Sequence, residues 1–201
     1  MARICSTCSV RVESDVRRID TRLPGVAVLE PRVFADHRGF FMETFNRRTM
    51  AELGIEVDWV QDNHSRSARG VLRGLHYQVR QPQAKLVRVT LGRVWDVVVD
   101  IRRGSSTFGE WEGFELDADS KHMLFAPAGY AHGFLVLSEV AEFQYKCSDF
   151  YAPEHERGLA WDDTDLAIAW PLDGVAPILS ERDRTWPRLA DVPASDLPET
   201  V

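Results

Sequence analysis

From Val26 onward, apolar and polar positions alternate in short runs, each closed by Gly, Pro, Ser or Asp. "VAVLEPRVF" (Val26–Phe34) alternates as a strand, "DHRG" (Asp36–Gly39) reads as a turn, and "FFMETF" (Phe40–Phe45) reads as the returning strand. "RRTMAELG" (Arg47–Gly54) breaks the pattern: its apolar residues fall at helical spacing and it ends on glycine, which predicts one short helix. "VDWVQDN" (Val57–Asn63) returns to strand character. "KLVRVTLGRVWDVVVDIR" predicts a β-rich pair bent near Gly92, and "EWEGFEL", "KHMLFAP", "GFLVL" and "AEFQYKC" follow at short, regular intervals. Many short strands with almost no helix predict an all-β sandwich or barrel. After Trp170 the chain turns Pro-rich and irregular, so the final segment is expected to wrap the domain or trail from it.

Composition narrows the class. The chain has 201 residues, 44% hydrophobic and 27% charged, as in an ordinary globular domain. A net charge of −7 argues against general nucleic-acid binding, while leaving room for a local basic pocket that takes a small anion. No apolar run approaches a membrane span of about 20 residues, and the first residues carry no signal-peptide core. Three cysteines (Cys5, Cys8 and Cys147) make no disulfide framework, so a cytoplasmic location is expected. Cys5 and Cys8 form a lone CxxC. A zinc ribbon needs a second pair, and a redox motif needs a strand before it and a helix after it, so this pair reads as part of a polar N-terminal extension.

One strand does not fit a purely structural role. "GVLRGLHYQ" (Gly70–Gln78) carries Arg73 and His76 among its apolar positions and is loosened by Gly70 and Gly74. Farther on, "PAGYAHGF" (Pro127–Phe134) contains PxGxxH, which resembles the second motif of the cupin jelly roll, where the histidine points into the barrel mouth. The first cupin motif usually supplies HxH and a glutamate as metal ligands, whereas "GLHYQ" offers one histidine. His76 and His132 give two ligands where a divalent site typically wants three or four. The expectation is a cupin barrel that keeps its cavity without a metal or other cofactor.

Six ordered blocks carry a more specific resemblance: "FADHRGFFMETFN", "VQDNHSRSARGVLRGLHYQ", "AKLVRVTLGRVWDVVVDIRRGSSTFGEW", "PAGYAHGFLVLSE", "AEFQYKCSDFYAPEHERGLAWDD" and "WPL…LSERD". Together they resemble the dTDP-4-dehydrorhamnose 3,5-epimerase family over Leu23 to Asp183. The resemblance implies three segments: an extension (1–22), a cupin-like domain (23–183) and a C-terminal tail (184–201). It also implies a nucleotide-linked 4-keto-6-deoxyhexose as substrate. The ketone acidifies the C–H bonds on both neighbouring carbons, and inversion then needs a base, an acid on the other face, and donors for the enolate oxygen. By resemblance His76 is the base and Asp183 its dyad partner. Imidazole suits the task because its unperturbed pKa is about 6.5. Tyr145 is the matching proton donor; a phenol at about pKa 10 is still far stronger than a carbon acid. Phe143, Tyr145 and Cys147 share one strand face, as an inward-pointing tyrosine requires.

Lys85 and Arg73 match residues around the keto and phosphate oxygens. Arg38, Glu43, Gln61, Asn63, Glu156 and Arg182 match substrate-binding positions, and arginine forks suit a diphosphate. His132 is expected to bind substrate, to assist the dyad, or to hold a loop by hydrogen bonds. Phe150 stands near the nucleobase, where the family often has tyrosine. Arg38 and Glu43 lie on N-terminal strands that in the family reach into the partner's site, which implies a homodimer with composite sites.

Three function classes compete. A cofactor-free epimerase acting at C3, C5 or both accounts for all these residues, in a rhamnose or an antibiotic-sugar pathway. A metal cupin lacks its ligand set here. A non-catalytic sugar-nucleotide binder has no need for acid and base together.

Overall fold

The computed structural model describes residues 15–199. Cys5 and Cys8 lie outside them. Among these residues the alternating runs become thirteen strands, eleven of them in two packed antiparallel sheets, the two-layer jelly roll that the sequence predicts. One sheet has the order β1 (Val16–Asp20), β2 (Ala27–Pro31), β10 (Met123–Ala126), β7 (Lys85–Leu91), β12 (Val140–Cys147), β5 (Gln61–Ala68). The other has the order β13 (Glu156–Gly158), β6 (Leu72–Gln78), β11 (Tyr130–Val136), β8 (Arg93–Asp100), β9 (Trp111–Asp117). The predicted bend at Gly92 is the corner where the chain leaves the first sheet for the second. Gly92 has φ +75°, and a Cβ there would stand 2.1 Å from the Val140 carbonyl oxygen, so only glycine fits.

Inward positions of both sheets form the main core, with Val87 and Val89 of β7 and Phe143 of β12 facing Val94 and Val98 of β8 and Phe134 of β11. Phe134 and Phe143 stack at 4.2 Å. The outer face of the first sheet is covered by α1 (Arg47–Glu52), which buries Met50; Ile55 packs there too. Asn46 caps this helix by accepting the Arg48 and Thr49 amide N–H groups.

Strands β6, β8 and β11 are buried on both faces because the C-terminal segment lies over the second sheet. Leu189, Val192 and Leu197 pack on Val97, Val99 and Ala131, and Arg103 N–H donates to the Pro198 carbonyl at 2.8 Å. The tail expected from residue 184 therefore wraps the domain. The extension expected before Leu23 also differs: Val16–Asp20 pairs with Ala27–Pro31 as an edge strand, its Val16 buried in the core under α1. In "VRRID" the apolar residues Val16 and Ile19 are three positions apart among charges, so period-two alternation gives no signal there.

The hairpin of β3 (Val33–Asp36) and β4 (Gly39–Met42) stands apart as a two-stranded sheet. Phe34, Phe40 and Phe41 on it are exposed. Among the described residues, no helix is long and apolar enough to cross a membrane.

Candidate active site

Arg73 and His76 are three residues apart, so a regular strand would point them to opposite faces. A bulge removes the conflict. His132 and Phe134 of β11 pair with His76 and Arg73, so Gly133 alone stands opposite Gly74 and Leu75. Gly74 sits in the bulge at φ +121°, and a Cβ there would fall 2.6 Å from the Gly133 Cα. The two glycines let β6 and β11 approach closely, and both Arg73 and His76 line one cavity of about 650 Å³ between the sheets. The Arg73 guanidinium is held by an Nε–H bond to Ser67 Oγ at 3.1 Å.

The cavity has two walls of different chemistry. On the second sheet, His76 Nε2 lies 2.6 Å from Asp183 Oδ1. Asp183 is only 4% exposed. Burial alone would raise its pKa, but hydrogen bonds from His76, Ser180 Oγ (2.8 Å) and Trp186 Nε1 (3.3 Å) outweigh it and hold the carboxyl below its ordinary range. An ionised Asp183 can only accept, so His76 Nε2–H donates to it. The Nδ1 lone pair, which has no partner among the described residues, is left as the basic atom. Beside this dyad is a second one: His132 pairs with His76 across the strands, and its Nε2 lies 2.9 Å from both oxygens of Asp96. Burial pushes Asp96 up, opposed by His132 and then by Lys85.

On the first sheet, Lys85 of β7 and Tyr145 of β12 project inward, the Lys85 Nζ 6.0 Å from the Tyr145 ring centroid. Burial lowers the Lys85 pKa, against the opposing pull of Cys147, Asp96 and Glu156. Burial likewise raises Tyr145, which keeps the phenol protonated. Its hydroxyl makes no hydrogen bond within the described residues, so it faces the cavity with its proton available. The arrangement sets an oriented imidazole on one sheet against a phenol and an ammonium on the other.

A second chamber shares His76, Lys85, Tyr145 and Glu156 with the first and extends past Gln61 and Asn63 of β5. Tyr151 stands between the chambers, its hydroxyl donating to Glu156 Oε2 at 2.8 Å; Arg182 closes an ion pair with the same carboxylate.

The profile of the family described as dTDP-4-dehydrorhamnose 3,5-epimerase matches residues 20–191. The dTDP-4-dehydrorhamnose 3,5-epimerase of Pseudomonas aeruginosa is 61% identical over 170 residues, 84% of this chain and 93% of that protein. The chain belongs to the dTDP-4-dehydrorhamnose 3,5-epimerase family.

Solved members of the family superpose closely. The Legionella pneumophila dTDP-6-deoxy-D-glucose-3,5-epimerase in complex with dTDP-4-keto-L-rhamnose aligns with TM-score 0.89 and 47% identity, covering 92% of this chain and 99% of that one. ChmJ, a 3'-monoepimerase from Streptomyces bikiniensis in complex with dTDP-quinovose, aligns with TM-score 0.82 and 39% identity over 87% of this chain and 89% of its own.

Of the residues singled out in the sequence, His76, Lys85, Tyr145, Asp183, Arg73, His132, Gln61, Asn63, Glu156 and Arg182 line the two chambers. Three stand elsewhere in this epimerase-family chain. Arg38 lies in the exposed β3–β4 turn and pairs with Asp36, and Glu43 accepts a bond from Asn46. Phe150 is 60% exposed and lines neither chamber; its neighbour Tyr151 does. In an irregular stretch the two aromatics cannot be told apart by alternation. Asp96, Ser180 and Trp186 were also missed. Asp96 had a signal, a charge inside the apolar run "VWDVVV", where only a paired carboxylate survives burial. His64 points outward and pairs with Glu142. Among the described residues, no three His, Cys, Asp or Glu side chains group as metal ligands.

Proposed function

We propose that this protein epimerises dTDP-4-dehydro-6-deoxy-D-glucose at C3 and C5 through an enolate. One observation carries the reading: a buried, ionised Asp183 orients His76 on one sheet, directly across a cavity from Lys85 and Tyr145 on the other. His76 Nδ1 takes the proton from the carbon next to the ketone, and the C–H electron pair moves onto the C4 oxygen. The Lys85 ammonium holds that oxygen, and one such donor is typically worth about 10²–10³ in rate. Tyr145 returns a proton to the carbon from the opposite face, and the configuration inverts. Arg73 and Arg182 take the diphosphate; Gln61, Asn63 and Tyr151 line the chamber for the nucleoside.

Identity of 61% to a 3,5-epimerase against 39% to a 3'-monoepimerase favours action at both carbons. The exposed aromatic hairpin bearing Arg38 supports a homodimer in which that hairpin completes the partner's site. Both the substrate and the sparse cysteines suit the cytoplasm. The test is incubation with the 4-keto nucleotide sugar in D₂O. Deuterium at C3 and C5 with a 4-dehydro-L-rhamnose product is expected, abolished by His76→Asn. In Tyr145→Phe, exchange should outlast inversion. Deuterium at one carbon alone would assign a mono-epimerase.

A further inference from the structure

The indole of Trp186 is bound into the dyad, although it lines neither chamber. Its Nε1–H donates at 3.3 Å to Asp183 Oδ1, the same oxygen that takes His76 Nε2–H. Its ring stands edge-to-face with the His76 imidazole, centroids 6.2 Å apart at 73°. Space for it is made by Gly158, which pairs with His76 across β13 and β6: a Cβ on residue 158 would lie 2.6 Å from the indole. The next residue is pinned, Ala160 N–H donating to the Pro187 carbonyl at 2.8 Å.

We infer that Trp186 is a positioning residue that keeps Asp183 Oδ1 aligned with His76 Nε2. The inference rests on His76 and Asp183 being the base and its partner. Ser180 fixes the other oxygen, Oδ2, and leaves rotation of the carboxylate against His76 to be resisted at Oδ1. An N–H there stops the carboxylate turning, and the ring keeps water from competing for it.

Two variants separate these contributions from mere packing. Trp186→Phe keeps a ring against Gly158 and His76 but removes the donor. Gly158→Ala keeps the indole but displaces it. Each should lower kcat about tenfold with KM unchanged. In each, the downfield proton resonance of the His76–Asp183 bond, assigned by its absence in His76→Asn, should shift, while the thermal midpoint of Trp186→Phe stays near wild type. Wild-type kcat in Trp186→Phe, or a lower kcat with the resonance unmoved, would overturn the positioning role. Full turnover in His76→Asn would instead remove the base assignment beneath it.

Discussion

Replacing Asp183 by Asn tests the dyad most directly. The amide is isosteric: its oxygen can still accept from His76 and Trp186, and its NH₂ can turn to Ser180 Oγ, a hydroxyl that accepts as well as donates. Folding should therefore lose only about 1 kcal/mol. Catalysis loses the charge that stabilises the imidazolium as His76 takes the proton. Unit charges about 4 Å apart interact by roughly 4 kcal/mol at an effective dielectric near 20, and by roughly 1 kcal/mol in water. Asp183 is 4% exposed, while the His76 side chain is 29% exposed, so the pair lies nearer the first regime. At about 1.4 kcal/mol per factor of ten, kcat should fall by about 10²–10³. NMR-monitored turnover and C–H exchange measure the loss, with dTDP affinity and the thermal midpoint as controls. A drop of only about fivefold, with folding intact, would place the dyad in the water-screened regime and refute the argument.

Gly74→Ala should cost about 3 kcal/mol or more in urea denaturation, because the new Cβ meets backbone at 2.6 and 2.8 Å and φ is +121°. Asp100 governs acid stability. Burial would raise its pKa, but Arg102, Ser105 and Thr107 hold it at about 2. Its stabilisation is thus complete above the unfolded value of about 4 and lost as pH falls toward the folded value, on the order of 2 kcal/mol. Denaturation midpoints of wild type should fall over that window, and those of Asp100→Asn should fall less. Mixing Arg38→Ala chains with His76→Asn chains, each inactive alone, should restore activity, since a mixed dimer has one site free of both lesions. If subunits exchange and none returns, Arg38 serves its own chain.

The sequence by itself carried the fold class and named most of the charged and polar residues that line the two chambers. Period-two alternation is a local property, and each strand announced itself within a few residues. Phe143, Tyr145 and Cys147 were read as sharing a face, and Phe143 and Cys147 are indeed buried beside the half-buried Tyr145. Short ordered blocks were specific enough to select chemistry along with architecture. The boundaries were less legible: Val16–Asp20 and the residues after 184 are held by pairing and packing with distant strands, which no local pattern encodes.

Only the tertiary structure decided how the groups meet. Arg73 and His76 share a cavity because of a bulge, and a bulge is defined by the partner strand β11 rather than by β6 itself. Tyr151 lines the chambers and its neighbour Phe150 does not, a difference the irregular chain there has no period to reveal. Asp183 reaches His76, 107 positions away, only because the C-terminal segment folds back over the second sheet. Trp186 joins them because Gly158 leaves room for an indole. Side-chain type and strand face are set by neighbours in the chain. Convergence of a base, its carboxylate and an opposing acid is set by contacts between strands far apart in it, where loop closure and burial choose the geometry.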